Sequence, residues 1–186
     1  ISAYEPRTIN MIEFRDFVYL RTTIEPQNVL EIGSGHGHDA HTLAQVFSVA
    51  PEKVYIFEPH PALNQQIKQA YQQYNVFDSA ISNVEGETVT FNAVEMSSTN
   101  RAVSSLLNTE QKNATYQSIE VTSRRMDAVL KELQLDTVDL LKLDVEGLTY
   151  EVLEGFGDML SKVKAMHIEC EHIEVWKGQK IYRDVE

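Results

Sequence analysis

The sequence has little cysteine and little positive charge. Cys170 is the single cysteine among 186 residues, so the chain cannot form an internal disulfide, and a reducing compartment, the cytoplasm, is expected. Lysine and arginine number 16 against 28 aspartates and glutamates, which gives a formal net charge of -12. Because nucleic-acid binding depends largely on neutralising phosphates, this balance disfavours an RNA or DNA partner.

Long hydrophobic runs are also missing. No stretch reaches the roughly 20 apolar residues of a membrane-spanning helix, and residues 1–7 lack the apolar region of a signal peptide, so no membrane association is expected. The composition, with 42% hydrophobic and 24% charged residues, is that of a globular protein. We expect a single domain overall, with an N-terminal helical segment over residues 1–27 and a core over residues 28–186.

Short apolar runs alternate with segments of helical periodicity along the chain. Strands are predicted at residues 29–32, 53–58, 75–81, 138–143 and 163–168, and helices at 9–24, 39–47, 61–74, 127–135 and 150–160. Residues 87–94 and 119–122 are predicted to add antiparallel or edge strands. This alternation predicts an α/β fold, a doubly wound and mostly parallel sheet with helices on both faces. Ligands of such sheets bind at the carboxyl ends of the strands.

A glycine-rich turn, residues 31–37 with the sequence EIGSGHG, follows the first strand. Glycines accept positive φ and let the backbone approach a ligand closely. The dinucleotide fingerprint G-x-G-x-x-G would place its third glycine where His38 stands, whereas this sequence has Gly37. The pattern therefore departs from a pyrophosphate site, and the absence of Gly-Lys-Ser/Thr disfavours a P-loop. A tight turn without a ligand is the alternative.

Glu58 ends the second strand, 25 positions after Gly33. An acidic residue at this offset typically accepts hydrogen bonds from ribose hydroxyls, and the alternative is a solvated carboxylate at a strand end. Ser79 and Ala80 end the predicted third strand, where an adenine ring would lie. The turn and Glu58 together favour an adenosine-containing cofactor.

The segment KLDVEG carries a charged residue at every second position, namely Lys142, Asp144 and Glu146. Their side chains therefore point to the same face of the sheet if the strand continues through this segment. Three charges within an apolar run are unfavourable unless they are paired or functional. Mutual pairing of Lys142 with a carboxylate is one interpretation, and a polar cluster beside the reacting group is the other. Asp144, Glu169 and His172 could also hold a divalent metal, but their spacing is not diagnostic and we assign none.

Several of these segments together resemble the FkbM-type methyltransferases, over roughly residues 28–172. The matching segments are VLEIGSGHG at 29–37, FEPHP at 57–61, AISN at 80–83, DLLKLDVEG at 139–147, EVLEG at 151–155 and HIE at 167–169. The glycine turn is shared by many methyltransferases. The segment K-x-D-x-E-G followed by E-V-L-E-G is the specific part of the resemblance.

The resemblance implies a Rossmann-like sheet that binds S-adenosylmethionine and methylates a hydroxyl of a sugar, polyketide or related small molecule. Carried over by position, the methionine portion would lie at the turn, the ribose at the end of the second strand, the adenine after the third strand and the methyl donor near Asp144. The corresponding cofactor residues are Glu31, Gly33, Ser34, Gly35, Glu58, Pro59, Ser79, Ala80 and Asp144. The family's sheet normally closes with two further strands, and we expect this sheet to lack them or to obtain them from elsewhere.

For the chemistry, we expect in-line transfer of the methyl group to an acceptor hydroxyl, helped by a general base. Asp144 or Glu146 is the expected base or acceptor clamp, His172 comes next, and Lys142 would orient a carboxylate. The polar segment at residues 95–116 is expected to cap the site or to be a plain surface insertion.

Three other functions remain open from the sequence. They are an NAD-dependent oxidoreductase, a cofactor-binding module of a larger protein without catalysis, and an RNA ribose methyltransferase, which the acidic balance disfavours. A small-molecule acceptor is the expected partner, and oligomerisation is left open.

Overall fold

The structure is a computed structural model that describes residues 14, 16, 18, 24–94, 105–107 and 116–186. Its strands and helices, in chain order, are β1 (Val29–Ile32), α1 (His38–Val46), β2 (Val54–Phe57), α2 (Pro61–Ala70), β3 (Asn75–Phe77), β4 (Ala80–Ile81), β5 (Thr88–Val94), β6 (Tyr116–Arg124), α3 (Met126–Glu132), β7 (Val138–Leu143), α4 (Thr149–Gly155), β8 (Val163–Ile168) and α5 (Tyr182–Val185). Short 3-10 turns lie at Pro51–Lys53 and Gly157–Lys162.

Five parallel strands form the central sheet in the order β3-β2-β1-β7-β8. β1, β2 and β7 are buried along their whole length, which explains why their sequences are nearly continuous apolar runs. The order of the strands reverses beside β1, so the chain leaves the sheet on opposite sides after β1 and after β7. The predicted doubly wound, Rossmann-like α/β fold is confirmed.

The two faces of the sheet pack against different helices. Leu141 and Leu143 of β7 belong to the core that includes Met126 of α3 and Val152 of α4. Leu140 belongs to the opposite core, with residues of α1 and α2. Because side chains alternate along a strand, Lys142 lies on the same face as Leu140, towards α1. This placement of Lys142 matters for the site.

Part of the predicted N-terminal helix lies within the described residues. Phe14, Asp16 and Val18 are helical, and Phe14 and Val18 are buried in the core on the α1 face. The ring of Phe14 stacks on His167 of β8, with 5.4 Å between the ring centroids. Most of the helix predicted over residues 9–24 lies outside the described residues, and the boundary at residue 27 stays a prediction.

The third predicted strand, residues 75–81, differs from the structure. β3 ends at Phe77, and the chain passes through Asp78 and Ser79 into β4, which belongs to a second sheet of order β4-β6-β5. The amide of Ser82 donates to the carbonyl of Arg124 at 3.0 Å, and the hydroxyls of Ser82 and Ser123 lie 2.7 Å apart in the interior. These buried polar contacts hold the chain against β6. The predicted antiparallel pairing of the other two strands is confirmed by β5 and β6.

The chain after β8 is described throughout, and residues 169–186 contain α5 but no strand. The two further strands that the family resemblance implies are therefore not formed by these residues. Among the described helices, none combines the length and the apolar character needed to cross a lipid bilayer.

Candidate functional site

The carboxyl ends of the parallel strands form one edge of the central sheet. The residue that follows each of four strands still donates its amide hydrogen to the neighbouring strand. These hydrogen bonds run from Gly33 to Phe57, from Glu58 to Phe77, from Asp144 to Ile32 and from Glu169 to Leu143, at 2.9 to 3.0 Å. The backbone ladder therefore fixes the start of each strand-end loop, and it brings four sequence-predicted polar segments to one edge.

The glycine turn after β1 needs its glycines for two different reasons. Gly33 has φ 76°, and a Cβ atom there would overlap the carbonyl oxygen of Asp144. Gly35 has φ 58°, but a Cβ there would meet nothing within 4 Å. Gly33 thus lets the turn pack on the loop after β7, whereas Gly35 faces open space that a ligand can fill.

Ser34 lies between these two glycines, and its hydroxyl oxygen is buried. Among the residues that the structure describes, none forms a hydrogen bond with Ser34 Oγ. A buried hydroxyl without a partner is unfavourable, so this position requires a polar group from water or from a ligand.

Glu58 is held to the turn by its carboxylate. Oε2 accepts a hydrogen bond from the amide of Gly35 at 2.8 Å, and Oε1 accepts one from the amide of His60 at 2.8 Å. Burial raises the pKa of Glu58 to about 7, although the two amide hydrogen bonds act in the opposite direction. Donors from a ligand would add to the two amides and favour the charged carboxylate.

Asn64 of α2 is a buried residue that the sequence did not single out. Its Nδ2 donates to the carbonyl of Glu58 at 2.9 Å and to the carbonyl of Phe77 at 2.8 Å. The side chain therefore ties the loops after β2 and β3 together beside the site. No sequence signal distinguishes this asparagine from other polar residues of the helix.

Glu31 lies beneath the turn rather than at its surface. Its side chain is only 2% exposed, and Oε2 accepts a hydrogen bond from the amide of Ala40 in α1 at 3.0 Å. Burial, reinforced by the negative charges of Asp39 and Asp144, raises the pKa of Glu31 to about 8, while the Ala40 amide and Lys142 oppose the shift. Glu31 therefore joins β1 to the start of α1 and supports the turn from below.

Lys142 and Asp144 form an ion pair at the end of β7. Lys142 is 3% exposed, and its Nζ lies 3.1 Å from Asp144 Oδ2 and 3.9 Å from Asp39 Oδ2. β7 ends at Leu143, so the strand does not persist as far as Asp144 and Glu146. Asp39 is not identified as a site residue from the sequence alone. The one sequence signal for it is its place in the first turn of the helix that follows the glycine-rich turn.

Glu146 lies in the turn after β7 and contacts two segments that are distant in sequence. Trp176 Nε1 donates to Glu146 Oε2 at 3.2 Å, and the hydroxyl of Ser105 donates to the carbonyl of Glu146 at 2.6 Å. Burial raises the pKa of Glu146 to about 7, the Trp176 hydrogen bond lowers it, and nearby carboxylates raise it further. The sequence missed Trp176, although it is the single tryptophan of the chain.

Glu169 and His172, which follow β8, lie in different surroundings: Glu169 is close to Asp144, whereas His172 is exposed. The charge of Asp144 and, to a lesser extent, burial raise the pKa of Glu169, so these two carboxylates lie close together. His172 is exposed and lies against Tyr182, with 5.0 Å between the ring centroids. The described part of the chain contains no group of three or more histidine, cysteine, aspartate or glutamate side chains arranged to hold a metal ion.

The predicted adenine residues lie beside an open cavity of about 650 Å³. Pro59 and Ser79 line the cavity, whereas Ala80 is buried in β4 and pairs with Ser123. The other lining residues come from α2, from the loop after β3 and from β6, and they are Pro61, Asn64, Gln65, Lys68, Asp78, Ile119, Glu120, Val121, Thr122 and Arg124. The loop after β3 therefore leaves space for a ring-sized ligand.

Part of the segment predicted to cap the site is described. Ser105 is buried and forms an isolated antiparallel bridge with Asn92 of β5, and its hydroxyl reaches Glu146 as stated above. Residues 95–104 and 108–115 lie outside the described residues. The described part therefore touches the loop after β7, and the capping role stays a prediction.

Comparison with known proteins gives three matches. A family model described as the Methyltransferase FkbM domain matches residues 31–186. The chain is 26% identical over 163 residues to the 2-O-methyltransferase NoeI of Sinorhizobium fredii (strain NBRC 101917 / NGR234). This match covers 81% of this chain and 66% of that protein. Among solved structures, the methyltransferase FkbM from Methylobacillus flagellatus KT matches with a TM-score of 0.53 at 15% identity, over 84% of this chain and 37% of that chain.

These matches differ in what they establish. The family model covers most of the chain. The solved structure, at 15% identity, supports the fold alone. The chain spans 66% of the length of the curated relative and 37% of that of the solved protein, so both relatives contain regions without a counterpart here.

Proposed function

This chain belongs to the FkbM methyltransferase domain family, and on that premise we propose that it is an S-adenosylmethionine-dependent O-methyltransferase. The observation that carries the proposal is the hydrogen bond between the Gly35 amide and Glu58 Oε2 at 2.8 Å. It joins the turn after β1 to the acidic end of β2, which are the two positions where an adenosine cofactor is bound in sheets of this type.

The residues at the sheet edge fit S-adenosylmethionine. The unpartnered Ser34 hydroxyl and the open space at Gly35 would hold the methionine portion, with Gly33 shaping the turn and Glu31 supporting it. Glu58, followed by Pro59, would bind the ribose. When bound, this group supplies a methyl group activated by a positively charged sulfur.

The adenine ring is proposed to lie beside Ser79, at the cavity of about 650 Å³. Ala80 would contribute through its backbone, because the residue is buried in β4. Asp144 would lie near the methyl group, and its charge, paired with Lys142, would complement the positive sulfur.

The chain's own contribution to the chemistry would be alignment and proton removal. Alignment of the acceptor oxygen with the methyl group supplies much of the rate in such displacements. A neutral alcohol reacts faster when a general base removes its proton, typically by a factor of about 10² to 10⁴. Asp144 and Glu146 are the candidate bases at the sheet edge, and a role for the exposed His172 stays a prediction.

The acceptor is proposed to be a hydroxyl of a small molecule, and a sugar is the leading class. The name of the curated relative, a 2-O-methyltransferase, supports methylation of oxygen. The carboxylates of Asp144, Glu146 and Glu169 can accept hydrogen bonds from neighbouring hydroxyls of a sugar ring. The formal net charge of -12 speaks against a nucleic-acid acceptor.

The proposal is tested by incubating the protein with radiolabelled S-adenosylmethionine and a panel of methyl glycosides, followed by mass spectrometry of the labelled product. We expect label on a sugar hydroxyl. We also expect Asp144→Asn and Glu146→Gln each to reduce the transfer. Full turnover in both variants would show that the proposed acceptor site is wrong, and binding of the cofactor without any transfer would favour a non-catalytic module.

A further inference from the structure

The two candidate bases have different partners, and Asp144 is already committed to a cation. Its Oδ2 lies 3.1 Å from Nζ of Lys142, a side chain that is only 3% exposed. If Asp144 took up a proton, Lys142 would lose its short ion pair and keep, among the described residues, the longer contact with Asp39 at 3.9 Å and the more distant charges of Glu31 and Glu169. Leaving a buried ammonium poorly paired is strongly unfavourable. Asp144 is therefore suited to be a fixed negative charge rather than a proton acceptor.

Glu146 differs from Asp144 in its described partners. Within the described part of the chain, no lysine, arginine or histidine forms an ion pair with its carboxylate. Its partner is the neutral indole of Trp176, which donates to Oε2 at 3.2 Å. None of the described residues donates a hydrogen bond to the other oxygen, Oε1. One carboxylate oxygen is therefore fixed and the other is free to accept a proton.

The described charged groups that act on Glu146 are negative. Burial raises the pKa of Glu146 to about 7 against the Trp176 hydrogen bond, and the charges of Glu171, Asp144 and Glu169 add to the rise. A general base works best when its pKa is close to the working pH. Asp144 and Glu146 are both half-buried, so the ion pair is what separates them, and the carboxylate without a described cation is the one suited to exchange a proton.

From these contacts we infer that Glu146 is the general base, that Oε1 is the accepting oxygen, and that Trp176 is the positioning residue that holds Oε2. This inference rests on the proposed function. The acceptor oxygen forms a bond to the methyl carbon while the carbon–sulfur bond breaks and its electron pair stays on sulfur. The acceptor proton moves to Glu146 Oε1 and is later released to water.

The position of Glu146 is fixed at its backbone as well as at its side chain. Ser105, on the segment between β5 and β6, donates to the Glu146 carbonyl at 2.6 Å. Gly147 has φ 76°, and a Cβ there would overlap the ring of Trp176, so the indole packs directly on this turn. The indole segment is fixed in turn by Gln179, whose Oε1 accepts from the amide of Val175 at 2.6 Å. Two segments outside the central sheet therefore fix Glu146, one at its backbone carbonyl and one at its carboxylate.

The direct test needs no acceptor, because Trp176 is the single tryptophan and its fluorescence reports on its partner. We expect the emission of the wild-type protein to change with a midpoint near pH 7, since the pKa of Glu146 is about 7. Glu146→Gln should abolish that transition. The matched control Glu169→Gln should keep the transition and move it to lower pH, because one negative neighbour is removed. A transition of unchanged midpoint and amplitude in Glu146→Gln would overturn the inference.

Kinetics with the best methyl glycoside of the panel test the same assignment through the reaction. At saturating S-adenosylmethionine, Glu146→Gln should lower kcat by about 10² to 10⁴, with the Kd for S-adenosylhomocysteine unchanged. Trp176→Phe should move the acid limb of the pH–rate profile to higher pH by about half a unit, because the donated hydrogen bond is lost. If Glu146→Gln keeps wild-type turnover, the inference fails while the proposed function stands. If the wild-type protein binds the cofactor but transfers nothing, the proposed function fails.

Discussion

The amide hydrogen of Gly35 donates to Glu58 Oε2 at 2.8 Å, across 23 positions of sequence. This contact joins the loops that follow two neighbouring strands. Because both loops are also fixed by backbone hydrogen bonds to the adjacent strands, we expect little rearrangement if the proposed cofactor binds there. Preorganisation of this kind reduces the entropy lost when a ligand binds.

Replacement of Glu58 tests the ribose site. Glu58→Gln removes the charged acceptor that ribose hydroxyls would use, and we expect the affinity for S-adenosylhomocysteine to fall by about 10 to 100-fold. Isothermal titration calorimetry measures this change. Glu52→Gln, an exposed substitution before β2, is the control and should leave the affinity unchanged. Equal affinities in the wild type and Glu58→Gln would remove the ribose role.

Two glycines with similar backbone geometry separate a binding role from a folding role. Gly35 and Gly86 have φ of 58° and 72°, and a Cβ at either would meet nothing within 4 Å. Alanine at each position should therefore lower the free energy of unfolding by about 1 to 2 kcal/mol. Only Gly35→Ala should weaken binding of S-adenosylhomocysteine, because its methyl group enters the cofactor space. Thermal unfolding measures the stability of both variants, and calorimetry measures their affinity for S-adenosylhomocysteine. An equal loss of affinity in both variants would contradict the cofactor-binding role of Gly35.

Glu31 gives a pH dependence of stability with a definite sign. Its pKa is about 8 in the folded chain against 4.5 in an unfolded one, so the folded state keeps the proton longer. The associated stability is complete below about pH 4.5 and is lost as the pH rises through about 8. Glu31→Gln should therefore flatten the fall in Tm over this range. From these two pKa values, the wild-type loss that the substitution removes is about 5 kcal/mol, which corresponds to roughly 10 to 20 °C in Tm.

Parallel pH profiles of Tm for the wild type and Glu31→Gln measure this effect. Glu58 and Glu146, whose pKa values are both raised to about 7, leave a residual slope in the variant. An unchanged slope in Glu31→Gln would show that Glu31 ionises as easily in the folded chain as in the unfolded one.

Substitution of Ser105 tests whether the β5–β6 segment positions the loop after β7. Ser105→Ala removes the hydroxyl that holds the Glu146 carbonyl, and we expect kcat to fall by about 10-fold with cofactor affinity intact. Ser105→Thr keeps the hydroxyl and should restore the rate. Ser118→Ala is the matched control, because it removes an exposed hydroxyl that bonds Asn92 on the same hairpin. An equal loss of kcat in both alanine variants would indicate a general effect on the hairpin.

The sequence predicted the central sheet well because each of its strands carries a local signal. The runs that became β1, β2 and β7 are buried on both faces, so they are nearly continuous apolar segments and easy to recognise, although Glu31, Asp139 and Lys142 interrupt them. The third strand was predicted too long, since residues 75–81 look equally extended whether the chain stays in one sheet or changes to another. That change depends on Ser82 meeting Ser123, 41 positions away.

For the candidate site, the sequence indicated which polar residues lie at the strand ends but not which residues contact them. Gly33, Glu58 and Asp144 follow strands, and the rule for strand ends was enough to bring them together. Trp176 and Ser105 reach Glu146 across 30 and 41 positions of sequence, and neither lies in a local motif. Their partners are set by how the β5–β6 segment and the C-terminal segment pack on the sheet, which a single sequence does not encode locally.

Calorimetric titration of the wild-type protein with S-adenosylhomocysteine, in parallel with NAD, distinguishes the proposed cofactor from a dinucleotide. We expect a single site for S-adenosylhomocysteine with a Kd in the micromolar range and no measurable heat with NAD, because the third glycine of the dinucleotide fingerprint is displaced to Gly37. Binding of NAD with no binding of S-adenosylhomocysteine would contradict the proposed cofactor and the methyl transfer that depends on it.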